Sequence, residues 1–259
     1  ARKNPKRVVF AEAENQKILK TAQMVQDEGV AFPILLGTRE KIQKIADASG
    51  IDISEMPIID PKNDETHDKR MEYGELFFAK KQRRGFNSYE AKKIMKDRNY
   101  FGSMMVETGE ADAMISGLSK NYPDTIRPAL QVIGMENNSK RVAGMYIMMT
   151  KKGPLFLADT TVNFNPTAEE LADIAMMVAR EVRNFGIIPI VAMLSYSNFG
   201  SSSSPEAKLV ARAREIVKQK EPSLIIDGEM QANVAFNKEI LKDNYPFSEL
   251  VNKDVNVLL

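Results

Sequence analysis

Short apolar runs rich in β-branched residues alternate along this chain with longer stretches whose apolar positions recur at helical spacing. That alternation is the signature of parallel β–α–β units. Arg7–Ala11 reads as a strand and leads into a helix over Asn15–Gly29, with Ile18, Leu19, Ala22 and Val25 on one face and Gly29 suited to a C-cap. Pro33–Leu36 is a second strand, Arg39–Ser49 a helix ended by Gly50, and Pro57–Ile59 a third short strand. Glu65–Arg84 forms a long amphipathic helix closed by Gly85, Ser88 opens another, and Tyr100–Glu107 continues the helical stretch to Gly109. Ala113–Gly117 is a strand running into a turn, with a helix from about Pro123 to Ile133.

The rhythm then breaks. Arg141–Thr150 and Pro154–Ala158 are apolar runs joined by Lys151-Lys152-Gly153, a β-hairpin pattern. After it come a helix over Pro166–Phe185, a strand over Ile188–Leu194, a helix over Pro205–Gln219, a strand over Ser223–Ile226 and a helix over Met230–Lys242. The hairpin marks the predicted boundary between two α/β/α lobes, residues 1–140 and 141–259, each with a mainly parallel sheet. One large doubly wound sheet is the alternative. Val255–Leu259 is a strand-like run with no crossover helix after it, so the chain is expected to continue past Leu259, and the C-terminal part of the second lobe to be missing.

Composition narrows the function. Lys plus Arg (36) and Asp plus Glu (35) nearly cancel, which leaves no field for collecting nucleic acid or an anionic membrane. No apolar run approaches the ~20 residues of a membrane span. The absence of cysteine removes disulfides and thiolate chemistry and fits a reducing cytoplasm. The single histidine, His67, sits in a charged stretch and is read as solvated, with no metal or base role.

In open α/β sheets, ligands bind beyond the carboxyl ends of strands, where helix N-termini offer free N–H groups. Three turns have that character. Ser116–Pro128 ends a strand in Ser116-Gly117, carries Lys120 and Asn121 in a polar loop, places Pro123 as first helical residue, and follows with Thr125 and Arg127. The Arg127 guanidinium suits a phosphate or carboxylate fork; pairing with a carboxylate of the protein is the other reading. In Asp159–Glu170, Asn165 as N-cap and Pro166 as first residue explain helix initiation, which leaves Asp159, Thr160 and Asn163 as polar residues that initiation does not require. Ser195–Pro205, with Ser195 and Ser197 at its start, is either a backbone cradle for an anion or a solvent loop capped by Ser204. Asp227-Gly228-Glu229 closes a strand and brings two carboxylates near one edge, to hold a divalent metal, to act as acid and base, or to form a structural turn, the reading preferred here.

In order along the chain, Tyr100–Met105, Asp112–Gly117, Asp124–Gln131, Asp159–Glu170, Ala192–Ser197 and Ile226–Gln231 resemble the phosphate acetyltransferase family over nearly the whole length. The resemblance implies two α/β lobes with an interlobe cleft, a fold like that of isocitrate and isopropylmalate dehydrogenases. It also implies a homo-oligomer of at least two copies and a metal-free transfer of acetyl between CoA and phosphate. Lys120-Asn121-Tyr122-Pro123, Ala158–Asn163, Ser195–Gly200, Asp227–Ala232 and the basic lead-in Arg2–Arg7 are similar to one branch, the C-terminal domain of large NADP-dependent malic enzymes. That branch implies a module sensing acetyl-CoA for a parent that decarboxylates malate to pyruvate, with NADP and a divalent metal confined to the parent's dehydrogenase part.

The ligands implied are acetyl-CoA or CoA, phosphate and acetyl phosphate, with no metal in this domain. The ligand-binding set is then Ser116, Gly117, Lys120, Asn121, Thr125, Arg127, Asp159, Asn163, Asn165, Ser195 and Ser197, among which Arg127 matches a substrate-binding Arg of the family. The family's catalytic Ser-Arg pair and Asp match no position here and are expected beyond Leu259, which makes this fragment inactive. Lys81 stands where the family has an Arg, keeping the charge without the fork.

Overall fold

The computed structural model describes residues 2–136 and 141–259. The chain divides into two compact units, Ala1–Asn137 and Asn138–Leu259. The boundary expected at residue 140 falls on residues outside those described.

The first unit holds four parallel strands in the order β3-β2-β1-β4: β1 (Lys6–Phe10), β2 (Ala31–Leu36), β3 (Ile58–Ile59) and β4 (Ala113–Ile115). The two-residue periodicity of a strand sends neighbours to opposite faces. Val9 and Leu36 therefore join the core beneath α3 (His67–Lys81), α4 (Ser88–Ile94) and α5 (Arg98–Glu107), while Phe10 and Leu35 join the core beneath α1 (Gln16–Asp27) and α2 (Arg39–Ser49). Burial on both faces is why these strands read as continuous apolar runs. α6 (Tyr122–Val132) follows β4 and adds Val132 to the first of these cores.

Helix seating depends on two glycines. A methyl group at Gly74 of α3 would stand 2.7 Å from Lys92 Cα in α4, and one at Gly102 of α5 would stand 2.6 Å from Met114 Sδ in β4. Both are too close for real Cβ contacts, so these positions set how near the helices lie to their neighbours.

The second unit has five strands in the order β5-β6-β9-β7-β8: β5 (Met145–Thr150), β6 (Gly153–Ala158), β7 (Ile190–Leu194), β8 (Ile225–Met230) and β9 (Val257–Leu258). β5 and β6 form the expected antiparallel hairpin; the other pairings are parallel, and the last strand in sequence, β9, inserts between β6 and β7. Phe156, Val191, Met193 and Val257 face α7 (Ala168–Asn184) and α8 (Pro205–Lys220). Ala192 and Leu258 face α9 (Ala232–Phe236) and α10 (Lys238–Asn244).

Several element ends differ from the sequence reading. Asn121 caps α6, so Tyr122 is first in the helix and Pro123 second. Helix α7 is capped by Thr167 in a reciprocal box with Glu170, while Asn165 lies outside it with φ of +48°. Glu28 is the cap residue of α1, and Gly29, with φ of +63°, follows it in the left-handed conformation that ends the helix. The expected helix over Met230–Lys242 is two helices, parted at Asn237, whose side chain accepts from Glu239 N and Ile240 N and so starts α10 afresh. β8 runs on through Asp227-Gly228-Glu229 to Met230 instead of closing there.

Candidate functional site

The carboxyl ends of β1 and β4 meet at the first polar turn. Glu12, two residues past β1 and 8% exposed, reaches into the loop after β4. Its Oε2 accepts Gly117 N and Leu118 N, both at 2.7 Å; its Oε1 accepts Ser119 N at 2.9 Å and the Ser119 hydroxyl. Burial pushes this carboxyl up, but the Ser119 hydroxyl and the three backbone donors outweigh it and hold the group at about 2. The loop is thus a nest of successive N–H groups, and the anion it wraps is the protein's own Glu12.

The other predicted residues of this turn are knit into the same frame. Ser116 Oγ donates to Asn99 Oδ1 at 2.9 Å, and Asn99 Nδ2 donates to Asp124 O at 3.4 Å. Lys120 Nζ binds Asp97 at 2.9 Å. Asn121 Oδ1 accepts Asp124 N at 3.0 Å, and Thr125 Oγ1 donates to Asn121 O at 3.0 Å. Arg127 is different: its side chain is 58% exposed, and its ion pair, with Asp124, spans 3.6 Å. Ser116, Gly117, Lys120, Asn121 and Thr125 shape the turn, and Arg127 presents a cation from it.

In the second unit the predicted residues lie on two turns. After β6, Asp159 Oδ1 accepts Asn163 N at 3.3 Å and Gly144 N at 3.5 Å. Asn163 accepts from Arg141 Nη1 at 2.9 Å and donates to Val142 O at 2.9 Å, while Arg141 also pairs with Glu170. Asn165 is exposed. After β7, Ser195 Oγ accepts Ser197 N at 3.2 Å. Ser197 is fully buried; its hydroxyl donates to Glu229 Oε1 at 2.9 Å and accepts Ser202 N at 3.0 Å. Gly200 N donates to the same Glu229 oxygen at 2.6 Å. The serine-rich loop therefore also closes on a buried carboxylate of the chain.

Asp227 is engaged as fully. It accepts Gly228 N at 3.0 Å and Glu249 N at 2.9 Å and pairs with Arg214 at 3.3 Å. Of the readings open for Asp227 and Glu229, this arrangement is structural: each carboxylate orders a neighbouring segment. Among the described residues no group of three or more His, Cys, Asp or Glu is placed to hold a metal ion.

Against known proteins, the profile of the phosphate acetyl/butaryl transferases matches residues 1–259. The chain belongs to that family. It is 38% identical over 251 residues to the NADP-dependent malic enzyme of Escherichia coli, covering 96% of this chain and 33% of that protein. It is 37% identical to the phosphate acetyltransferase of Thermoanaerobacterium thermosaccharolyticum, covering all of this chain and 79% of that one. The structure superposes on the EutD phosphotransacetylase of Staphylococcus aureus with a TM-score of 0.84 at 31% identity, over 100% of this chain and 78% of the other. The chain thus spans about a third of the malic enzyme and about four fifths of the transferases.

The family-like segments now have physical roles. Tyr100 donates its hydroxyl to Gln131, tying the Tyr100–Met105 helix to the Asp124–Gln131 helix. Asp112, ahead of β4, accepts Arg7 N at 2.8 Å and pairs with the Arg7 guanidinium at 3.0 Å. Those Arg7 bonds hold its carboxyl at about 2. Lys81 ends α3; burial first, then Arg84 and Lys80, lowers its ammonium from the usual range. Glu12 and Asn99 are the frame residues that sequence reasoning passed over. Their only sequence signal is a polar side chain just beyond a buried strand or inside a buried helix.

Proposed function

We propose that this chain is the phosphate acetyltransferase-like module of an NADP-dependent malic enzyme and that it binds acetyl-CoA as a regulatory ligand. Arg127 carries the reading. It is a half-exposed guanidinium beyond the carboxyl end of β4, on a turn whose other polar groups are consumed internally. Such a group binds phosphate oxygens through paired, charge-assisted hydrogen bonds. The module works in the cytoplasm within an oligomer of at least two copies. Regulation then follows if acetyl-CoA binds two states of the parent unequally.

The test is equilibrium dialysis of acetyl-CoA against the chain and its Arg127→Ala and Arg127→Lys variants. Loss of one such contact is worth roughly a ten-fold weaker Kd in the alanine variant, with partial recovery in lysine. Equal binding by all three proteins would sink the assignment.

A second reading, an active phosphate acetyltransferase, is favoured by the four-fifths coverage of a transferase of that name. It predicts that the full-length protein carrying this chain makes acetyl phosphate from acetyl-CoA and inorganic phosphate, an activity lost in Arg127→Ala. Binding without turnover by the full-length protein selects the regulatory reading.

A further inference from the structure

At the amino edge of the second unit's sheet, opposite the carboxyl ends of β6 and β7, lies a cavity of about 990 Å³. It opens where β6 and β9 begin, between the β5–β6 hairpin turn and the break between α9 and α10. Leu155, Ile187, Val255 and the ring of Phe236, which is 52% exposed, form the apolar part of its wall. Three lysines, Lys152, Lys238 and Lys253, stand in its lining against one carboxylate, Asp254. Lys238 pairs with Asp254 at 2.6 Å, and Lys253 Nζ donates to Glu249 O at 2.6 Å, so two of the ammonium groups are already held in place. Lys152 sits on the hairpin turn.

We propose that this cavity binds a small amphipathic organic anion, a phosphate or carboxylate carried on an apolar body. The volume is that of a ligand site rather than a surface dimple. The exposed ring of Phe236 gives an apolar body a surface to cover. The surplus of two positive charges selects the sign of whatever does. Lysines, as compact and strongly hydrated point charges, accept phosphate or carboxylate without demanding one planar geometry. The ligand's apolar body lies against Phe236 and Leu155, and its charged head meets the lysines. This site shares no residue with the turn carrying Arg127.

The chain contains no tryptophan. A Phe236→Trp variant therefore carries a single tryptophan, excited selectively over the tyrosines, in the cavity wall, and octyl phosphate is the probe. The expected result is a saturable change in emission, with the same affinity by calorimetry on the unmodified chain. Lys152→Glu/Lys238→Glu weakens binding by roughly ten-fold or more, and Lys152→Glu alone, at an exposed turn, by about three-fold. Neutral octanol and inorganic phosphate each bind at least about ten-fold more weakly, because each offers half of the recognition. Arg127→Ala leaves the emission response of the Phe236→Trp protein to octyl phosphate unchanged, which separates this site from the acetyl-CoA reading. No saturation with octyl phosphate, equal affinity for octanol, or undiminished binding after charge reversal in a protein with unaltered circular dichroism would overturn the proposal.

Discussion

Replacing Glu12 by Gln tests whether the loop after β4 is organised by an internal anion. The substitution keeps shape and volume but swaps one acceptor oxygen for an NH2 group. Whichever way the amide turns, that NH2 faces donors: Gly117 N and Leu118 N on one side, or Ser119 N and its hydroxyl on the other. The carboxyl is held at about 2 against an ordinary 4.5, and at about 1.4 kcal/mol per pKa unit this corresponds to about 3 kcal/mol of stability near pH 7. Because the folded-state value is the lower one, the contribution is complete above the unfolded-state pKa and fades as pH falls towards 2. At pH 3 the folded carboxylate is still mostly ionised and the unfolded one is not, which leaves roughly 1.4 kcal/mol.

Urea unfolding of the wild type and Glu12→Gln, followed by circular dichroism, should show a gap of about 3 kcal/mol at pH 7. By pH 3 the gap should narrow by about 2 kcal/mol. Glu12→Ala should additionally be stabilised by millimolar formate, which fills the vacated nest, and not by chloride at equal ionic strength. A gap below about 1 kcal/mol at pH 7, or one that does not change with pH, would refute the reasoning.

Three other perturbations follow from the packing and the buried contacts. Gly74→Ala should destabilise the chain by about 2 kcal/mol or more, and Gly102→Ala by less: the first methyl meets the Lys92 Cα, which cannot move alone, and the second meets the end of the flexible Met114 side chain. Melting temperatures that rank them the other way would contradict this. Arg70→Met should cost about 1–3 kcal/mol in denaturant unfolding, because the 3% exposed guanidinium donates to Pro61 O, Asn63 O and Thr66 Oγ1 at the entry to α3; an unchanged midpoint would show those acceptors satisfied by water.

Local signals in the sequence placed most elements well. Gly50 with φ of +62° ends α2 where the residue type said it would, and Ser204 caps α8. At α7 two capping signals competed. The Thr167…Glu170 box prevailed over Asn165-Pro166 because it satisfies two backbone donors reciprocally where a lone Asn satisfies one. The site was harder to read because its logic is not local. Glu12 meets partners 105 to 107 residues away, and Glu229 meets Gly200 across 29 residues. A glycine- and serine-containing loop past a strand advertises free N–H groups, but whether they face a ligand or a carboxylate of the chain depends on a residue from another strand. Arg127 was legible for the opposite reason: a long cation one turn into a helix past a strand end reaches solvent whatever the rest of the loop does.

The most direct test of the central claim is a calorimetric titration of acetyl-CoA into the intact chain at neutral pH and moderate salt. Saturable heat is expected, with a stoichiometry of about one ligand per chain, undiminished when inorganic phosphate is absent. A flat titration, with no saturation at millimolar acetyl-CoA on a protein whose circular dichroism shows it folded, would contradict it.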